Sequence, residues 1–354
     1  MDFRNVPAFE KHEHVSTIRD ADSGFSCIFA IHSTIRGPGA GGCRMLPYES
    51  EAAAVQDALL LSRAMSLKSA VADLELGGAW SVIVGDSRTE KTPKLFEAYG
   101  RAVEAFKGNF WAIVDVGTDA KDLSHARTQS RYITGLAGHK TAAGDPSPVT
   151  AESVFRAATL AVRRLHNSSL NGVRVAIQGA GQVGSSLAHK FHRAGAQIII
   201  ADVNSDAALR VAHETDAQIV SPGDIIAQDV EVFCPCALGG TLSDQGLVRL
   251  KARVVAGGAN NQLASPEVGQ RLFERGILYA PDYVANAGGI INIAAEINAS
   301  RRGHAFDPNW VDAKLGRLME TLSDIFEQSA ASHRPTDAIA HIIAQRRLFP
   351  KAAT

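Results

Sequence analysis

Residues 179–184 read GAGQVG, and they stand between two apolar runs, VRVAIQ at 173–178 and QIIIAD at 197–202. A strand that enters a glycine turn and leaves it as a helix has few folds open to it. Gly179 permits the tight turn, Gly181 lets the backbone approach a pyrophosphate, and Gly184 lets the helix pack close to the strand. With Ala180, Gln182 and Val183 between them, these glycines offer an anion free N–H groups and the positive end of a helix dipole. Asp202 closes the second run, at roughly the 20-residue spacing of a ribose-binding acid. Its carboxylate can accept hydrogen bonds from the adenosine ribose hydroxyls and would repel a 2′-phosphate, so NAD is expected rather than NADP. GxGxxG alone is weak; strand, turn, helix, strand and acid in order carry the reading.

The rest of the chain bounds its class. At 354 residues it is too long for one core and predicts two domains. Lys and Arg number 36 against 37 Asp and Glu, a formal net charge of -1, which gives no electrostatic ground for nucleic acid or a membrane surface. Polar residues break every apolar stretch short of the roughly 18 needed for a bilayer span. The N-terminal MDFRNVPAFEKHEHV has no apolar run behind a basic head, so a cytoplasmic protein is expected. Cys27, Cys43, Cys234 and Cys236 lack CxxC spacing; buried free thiols are expected, and no metal site.

Residues 26–32, 81–84 and 110–114 read as strands and 51–67 and 92–106 as helices, with the Gly-rich run RGPGAGGCRM at 36–45 and a Gly77-Gly78 turn between them. From about residue 134 a second regime begins. Ser147 and Pro148 start a helix to about His166, and strands at 230–233, 254–256 and 277–279 follow the glycine turn. Strands alternating with helices predict a parallel sheet covered on both faces. Val311, Leu315, Leu318, Met319, Leu322 and Ile325 recur at helical spacing, on a helix expected to return towards the first domain. The fold class is α/β: a Rossmann-type domain over 135–329, and an α/β substrate-binding and oligomerisation domain over 1–134 plus 330–354, with a cleft between them.

The motifs GPGAGGCRM, MSLKSA, LELGG, VDVGTD, GDPSPVTA, GAGQVG, PCALGGTL, GGANNQL and APDYVANAGGIIN make the chain resemble the glutamate/leucine/phenylalanine/valine dehydrogenase family, most of all its leucine and phenylalanine branch. The likeness runs from about Ser33 to Asn298. It implies reversible, NAD(P)-dependent oxidative deamination of an L-amino acid to a 2-oxo acid and ammonia, by a homo-oligomer. It also implies roles. Gly41, Gly42 and Met65 would line the substrate pocket, and Lys68 would bind the substrate carboxylate. Asp115 would carry protons to and from the amine or imine. Thr150 would touch the nicotinamide end, and Asn260 and Asn261 would contact cofactor and substrate. Ile113, Thr134, Ile291 and Ala294 fall where the family lines the side-chain pocket, which points to an apolar substrate.

One position departs from the pattern. Where the family has its catalytic lysine, two residues past the LxLGG turn, this chain reads Ala79 and then Trp80. That lysine, its pKa lowered, activates the water that attacks the imine. Indole has an N–H donor and no basic site, so it cannot take the proton. General acid–base work is commonly worth about 10²- to 10⁴-fold. Lys91 and Lys94 follow in a polar stretch that reads as a solvated helix start. Two functions are therefore expected in competition: an NAD-dependent oxidoreductase acting on an amino acid, or on an imine that needs no activated water, and a catalytically impaired paralogue that binds NAD or an amino acid as a regulatory or assembly subunit.

Overall fold

The structure, a computed structural model, describes residues 3–166 and 169–350. The chain divides into two compact units, one formed by Met1–Asp145, Asn292–Trp310 and Ala344–Thr354, the other by Pro146–Ile291 and Val311–Ile343. The first unit is discontinuous, as expected, but its bounds are not 1–134 and 330–354. It runs on to Asp145, takes in Asn292–Trp310 and resumes at Ala344, while the long apolar-striped helix lies from Val311 onward in the second unit. Buried Glu296 shows why 135–145 stays with the first unit: its carboxylate accepts the N–H groups of Gly135 at 3.1 Å and Ala143 at 2.9 Å.

The first unit contains β1 (His14–Asp20), β2 (Phe25–Ser33), β3 (Gly39–Leu46), α1 (Glu51–Val71), β4 (Gly77–Val84), α2 (Pro93–Glu104), β5 (Phe110–Val114) and α3 (Ala120–Arg127). Its five-stranded sheet has the order β1-β2-β4-β3-β5. β2 is antiparallel to both β1 and β4, and β3 is parallel to β4 and β5. The Gly-rich run is a strand, and the expected Gly77-Gly78 turn is the start of β4. The reason is close approach: a methyl on Gly78 would lie 2.2 Å from Ser62 O and from Ser66 N, so α1 sits directly on bare strand backbone. On the other side Phe29 packs its ring against Tyr99 at 5.8 Å and Phe110 at 5.3 Å. Such pairs add about 0.5–1.5 kcal/mol each beyond their burial.

His32, at the end of β2, is buried; its Nδ1 is 2.8 Å from Ser66 Oγ and its ring 5.0 Å from that of His12. Burial, and then the neighbouring His12 and Arg63, push its pKa down from 6.5 to about 4. A depressed folded pKa means stability is intact above pH 6.5 and is lost as pH falls towards 4, because only the unfolded chain takes the proton freely. The loss is on the order of 2–3 kcal/mol. His32→Asn is expected to flatten the fall in Tm across that window. An unchanged acid slope would place the loss in another group.

The second unit opens with α4 (Ser147–His166), β6 (Arg174–Gln178), α5 (Gln182–Arg193), β7 (Gln197–Ala201), α6 (Ser205–Thr215) and β8 (Gln218–Ile219). Then come β9 (Val232–Pro235), α7 (Asp244–Arg249), β10 (Val254–Val255), α8 (Pro266–Glu274), β11 (Leu278–Tyr279) and α9 (Asp282–Ala285). Three helices complete the chain: α10 (Gly288–Arg302), α11 (Pro308–Ser332) and α12 (Thr336–Leu348). Six parallel strands form one sheet in the order β11-β10-β9-β6-β7-β8. Chain order reverses between β6 and β9, the switch point where doubly wound sheets bind dinucleotides. Phe233, Val255, Leu247, Leu272 and Tyr279 fill one side of it. Among the described residues no helix is long and apolar enough to cross a membrane.

Cys27, Cys43, Cys234 and Cys236 are free, as expected; the first three are buried and Cys236 is half-buried. Burial lifts the Cys43 thiol to about 12 and that of Cys236 to about 11, so neither is a ready nucleophile.

Candidate active site

In the first unit the sheet brings Gly41, Gly42, Trp80 and Asp115 together. β3 and β4 run parallel with Gly39 opposite Gly77, which sets Gly42 beside Trp80, and β5 ends at Val114, one residue before Asp115. A methyl on Gly42 would lie 2.5 Å from Cζ2 and 2.8 Å from Cη2 of Trp80, and 2.8 Å from Cβ of Asp115. The indole therefore lies over bare backbone and converges there with the carboxylate side chain. Gly41 is equally confined, its absent methyl falling 1.6 Å from Ala79 O. Trp80 is 8% exposed, and its Nε1–H is buried with no hydrogen-bond partner among the described residues.

Asp115 is held by Arg44, whose Nε donates to its Oδ2 at 2.8 Å. The same guanidinium donates through Nη1 to Asp57 Oδ2 at 2.9 Å and lies 5.6 Å from the centre of the Trp80 ring. Tyr48 also donates its hydroxyl to Asp57. Burial opposes the charge on Arg44, but Asp115 and then Asp57 outweigh it, and the guanidinium pKa is raised. The loop after β5 is pinned as well: Thr118 Oγ1 donates to Cys43 O at 2.8 Å, and the Asp115 N–H donates back to Thr118 Oγ1 at 3.1 Å. Sequence reading missed Arg44, Asp57, Tyr48 and Thr118. Arg44 was in plain view within GPGAGGCRM, but only strand register shows which carboxylates it joins.

Met65 is buried on α1, and Lys68 lies half-buried in its last turn. Ile113, Thr134 and Ala294 belong to the first unit, where Thr134 donates to Ala112 O at 3.0 Å and Ala294 is buried. Ile291 is buried in the second unit. Lys91 and Lys94 are engaged elsewhere: Lys91 pairs with Asp122 and Asp119, and Lys94 donates to Asp22 O.

In the second unit the glycine turn has the build a pyrophosphate requires. Gly179 has φ +103°, a conformation that favours glycine. A methyl on Gly184 would fall 1.9 Å from Gly179 O, whereas one on Gly181 would meet nothing within 4 Å. Helix and strand are thus in close contact while the mouth of the turn stays open. α5 starts at Gln182, inside the GAGQVG run, so Gln182, Val183 and Gly184 form its first turn. Its N-cap, Gly181, makes no side-chain cap, which leaves the helix amides for an anion. Asp202 Oδ2 accepts the Ala180 N–H at 2.6 Å and Oδ1 accepts the Asn204 N–H at 2.7 Å, fixing the carboxylate at the end of β7. These residues fit a dinucleotide.

Thr150 Oγ1 donates to Pro146 O at 3.0 Å, and a methyl on Gly289 would meet Thr150 Oγ1 at 2.7 Å. Asn260 Oδ1 accepts from Asn286 Nδ2 at 3.1 Å, and Asn261 has φ +50°, a left-handed conformation. Buried Gln262 secures this loop, donating to Gly257 O and Ala259 O, both at 2.9 Å. Neither Gln262 nor Asn286 was singled out from sequence, though both stand within the motifs GGANNQL and APDYVANAGGIIN.

Comparison with known proteins agrees with this build. A family model described as Glu/Leu/Phe/Val dehydrogenase, dimerisation domain, matches residues 12–133. Another, Glutamate/Leucine/Phenylalanine/Valine dehydrogenase, matches residues 145–210 and 200–351. The leucine dehydrogenase of Geobacillus stearothermophilus is 39% identical over 338 residues, covering 95% of this chain and 90% of that protein. The phenylalanine dehydrogenase of Bacillus thermotolerans is 35% identical over 353 residues, covering 98% and 91%. The crystal structure of L-tryptophan dehydrogenase from Nostoc punctiforme is 35% identical, with a TM-score of 0.81 and 96% of each chain covered.

Proposed function

This chain belongs to the glutamate/leucine/phenylalanine/valine dehydrogenase family, and on that footing we propose that it is an NAD-dependent oxidoreductase that interconverts an apolar L-amino acid, or an N-alkyl relative, with its 2-oxo acid. Self-association through the first unit goes with the description of the matched family model as a dimerisation domain. The observation that carries the chemistry is the convergence of Trp80 and Asp115 over Gly42.

The bound nicotinamide supplies the two-electron step. The chain's own residues have separate tasks. Lys68 offers an ammonium to the substrate carboxylate. Asp115 takes or gives the proton at the substrate nitrogen, its carboxylate oriented by Arg44. Trp80 supplies bulk and excludes water, and it has no basic nitrogen with which to activate what water enters. Hydrolysis of the imine is therefore the slow half. Reduction of an imine already formed in solution from an oxo acid and an amine passes through no carbinolamine on the protein and needs no activated water.

The test is a panel of NAD with L-amino acids, and of NADH with 2-oxo acids plus ammonia or an alkylamine. Turnover is expected with at least one apolar oxo acid, with alkylamine serving at least as well as ammonia. NAD binding without turnover of any pair would overturn this reading in favour of a binding or regulatory subunit. For the cofactor, Asp202→Asn is expected to weaken NAD binding about tenfold or more and to narrow the preference over NADP. Unchanged affinity for both would remove Asp202 from the ribose site.

A further inference from the structure

We propose that Arg44 is a positioning residue for Asp115 and that Trp80 is the platform that holds Arg44 in place. The inference rests on the reading of Asp115 as the proton carrier. Its ground is the geometry of one guanidinium with three partners. Nε is bonded to Asp115 at 2.8 Å, Nη1 to Asp57 at 2.9 Å, and the group lies 5.6 Å from the centre of the indole ring. Tyr48 donates to the same Asp57 oxygen, Oδ2, that receives Nη1. The partners approach from different elements: Asp115 follows β5, Asp57 is on α1, and Trp80 is on β4. A planar fork meeting two carboxylates and an aromatic face has little freedom left, which is the property that separates Arg from Lys.

The arrangement gives the tryptophan a role beyond the loss of a base. Arg44 and Asp115 have side chains only 19% and 17% exposed, so their pairing is shielded from solvent. Without the indole beneath it, the guanidinium could swing towards Asp57 and release Asp115. With it, the Asp115 carboxylate is offered to the substrate nitrogen through its other oxygen, Oδ1, while Oδ2 stays on Arg44.

A double-mutant cycle in kcat on the full-length protein tests this, using whichever amino acid or oxo acid and amine pair turns over. Arg44→Gln is expected to lower kcat about tenfold or more with KM changed far less, and Arg44→Lys to restore part of it. Arg44→Gln combined with Asp115→Asn is expected to be no slower than Asp115→Asn alone, because Arg44 acts through Asp115. Multiplying effects, or Arg44→Gln acting on KM alone, would overturn the proposal. If Asp115→Asn leaves kcat unchanged, the proton-carrier reading fails instead. A readout independent of turnover is the emission of Trp80 with Trp111→Phe and Trp310→Phe in place. Arg44→Gln and Asp115→Asn are each expected to shift it, and unchanged emission in both would overturn the platform.

Discussion

Trp80→Lys is expected to raise deamination of an apolar L-amino acid by about 10²- to 10⁴-fold over the parent chain, the usual worth of a general base. The lysine would replace the indole above Gly42 and set its amine beside Asp115. No partner substitution is needed. Strand alternation turns the Ala79 methyl away from the indole, towards Gly39, where a second methyl would meet it at 2.8 Å. The Arg44 guanidinium beside position 80 disfavours a second cation, which favours the neutral amine that a base needs. Against it stands the lost stacking of Arg44 on the ring, about 1 kcal/mol, together with the lost bulk of a buried aromatic. A modest fall in Tm should therefore accompany the gain, and the loosened hold of Arg44 on Asp115 sets the gain towards the lower end of that range. A folded but silent variant would show that position 80 is not what limits hydrolysis.

Gly184→Val is expected to abolish measurable NAD binding and to destabilise the second unit by about 3 kcal/mol or more, a size reserved for buried overpacking with backbone displacement. Even a methyl would fall 1.9 Å from Gly179 O, an atom fixed by the Gly179 N–H donating to Ala201 O at 2.7 Å. α5 would have to lift from β6, taking with it the amides that would face a pyrophosphate. Titration calorimetry with NAD and thermal melting of the same sample separate lost binding from lost fold. Wild-type affinity in Gly184→Val would mean that the dinucleotide does not lie on this turn.

The strand–turn–helix passage around Gly179 in the second unit was legible in the chain because its signals are local. Gly179, Gly181, Gly184 and Asp202 lie within one strand–turn–helix–strand passage, and Gly184 packs on Gly179 O five residues back while Asp202 accepts the Ala180 N–H across the adjacent strand. The first unit was legible at the level of motifs, not of geometry. The Gly-rich run at 36–45 predicts no strand because glycine is a poor strand former. Gly39–Leu46 form β3 because Ala79 and the Trp80 indole press close on its glycines, an approach seen only once distant segments are paired. Arg44 illustrates the same limit: its partners lie at positions 57, 80 and 115, and no period along the sequence links them. The boundary beyond residue 134 was hidden for a similar reason, since it depends on Glu296 reaching back to Gly135 and Ala143.

The fit of the indole on Gly42 also sets an order of events. A side chain at position 42 would collide with the ring at 2.5 Å, so tryptophan could enter position 80 only in a chain whose residue 42 was already bare. Once in place it forbids any return of bulk on the neighbouring strand, and substitutions at 42 that a smaller residue 80 would leave to be judged on other contacts are closed off. The exchange at 80 therefore constrains its neighbour and not itself: it narrows what β3 can become, while a basic residue can return at position 80 in a single step.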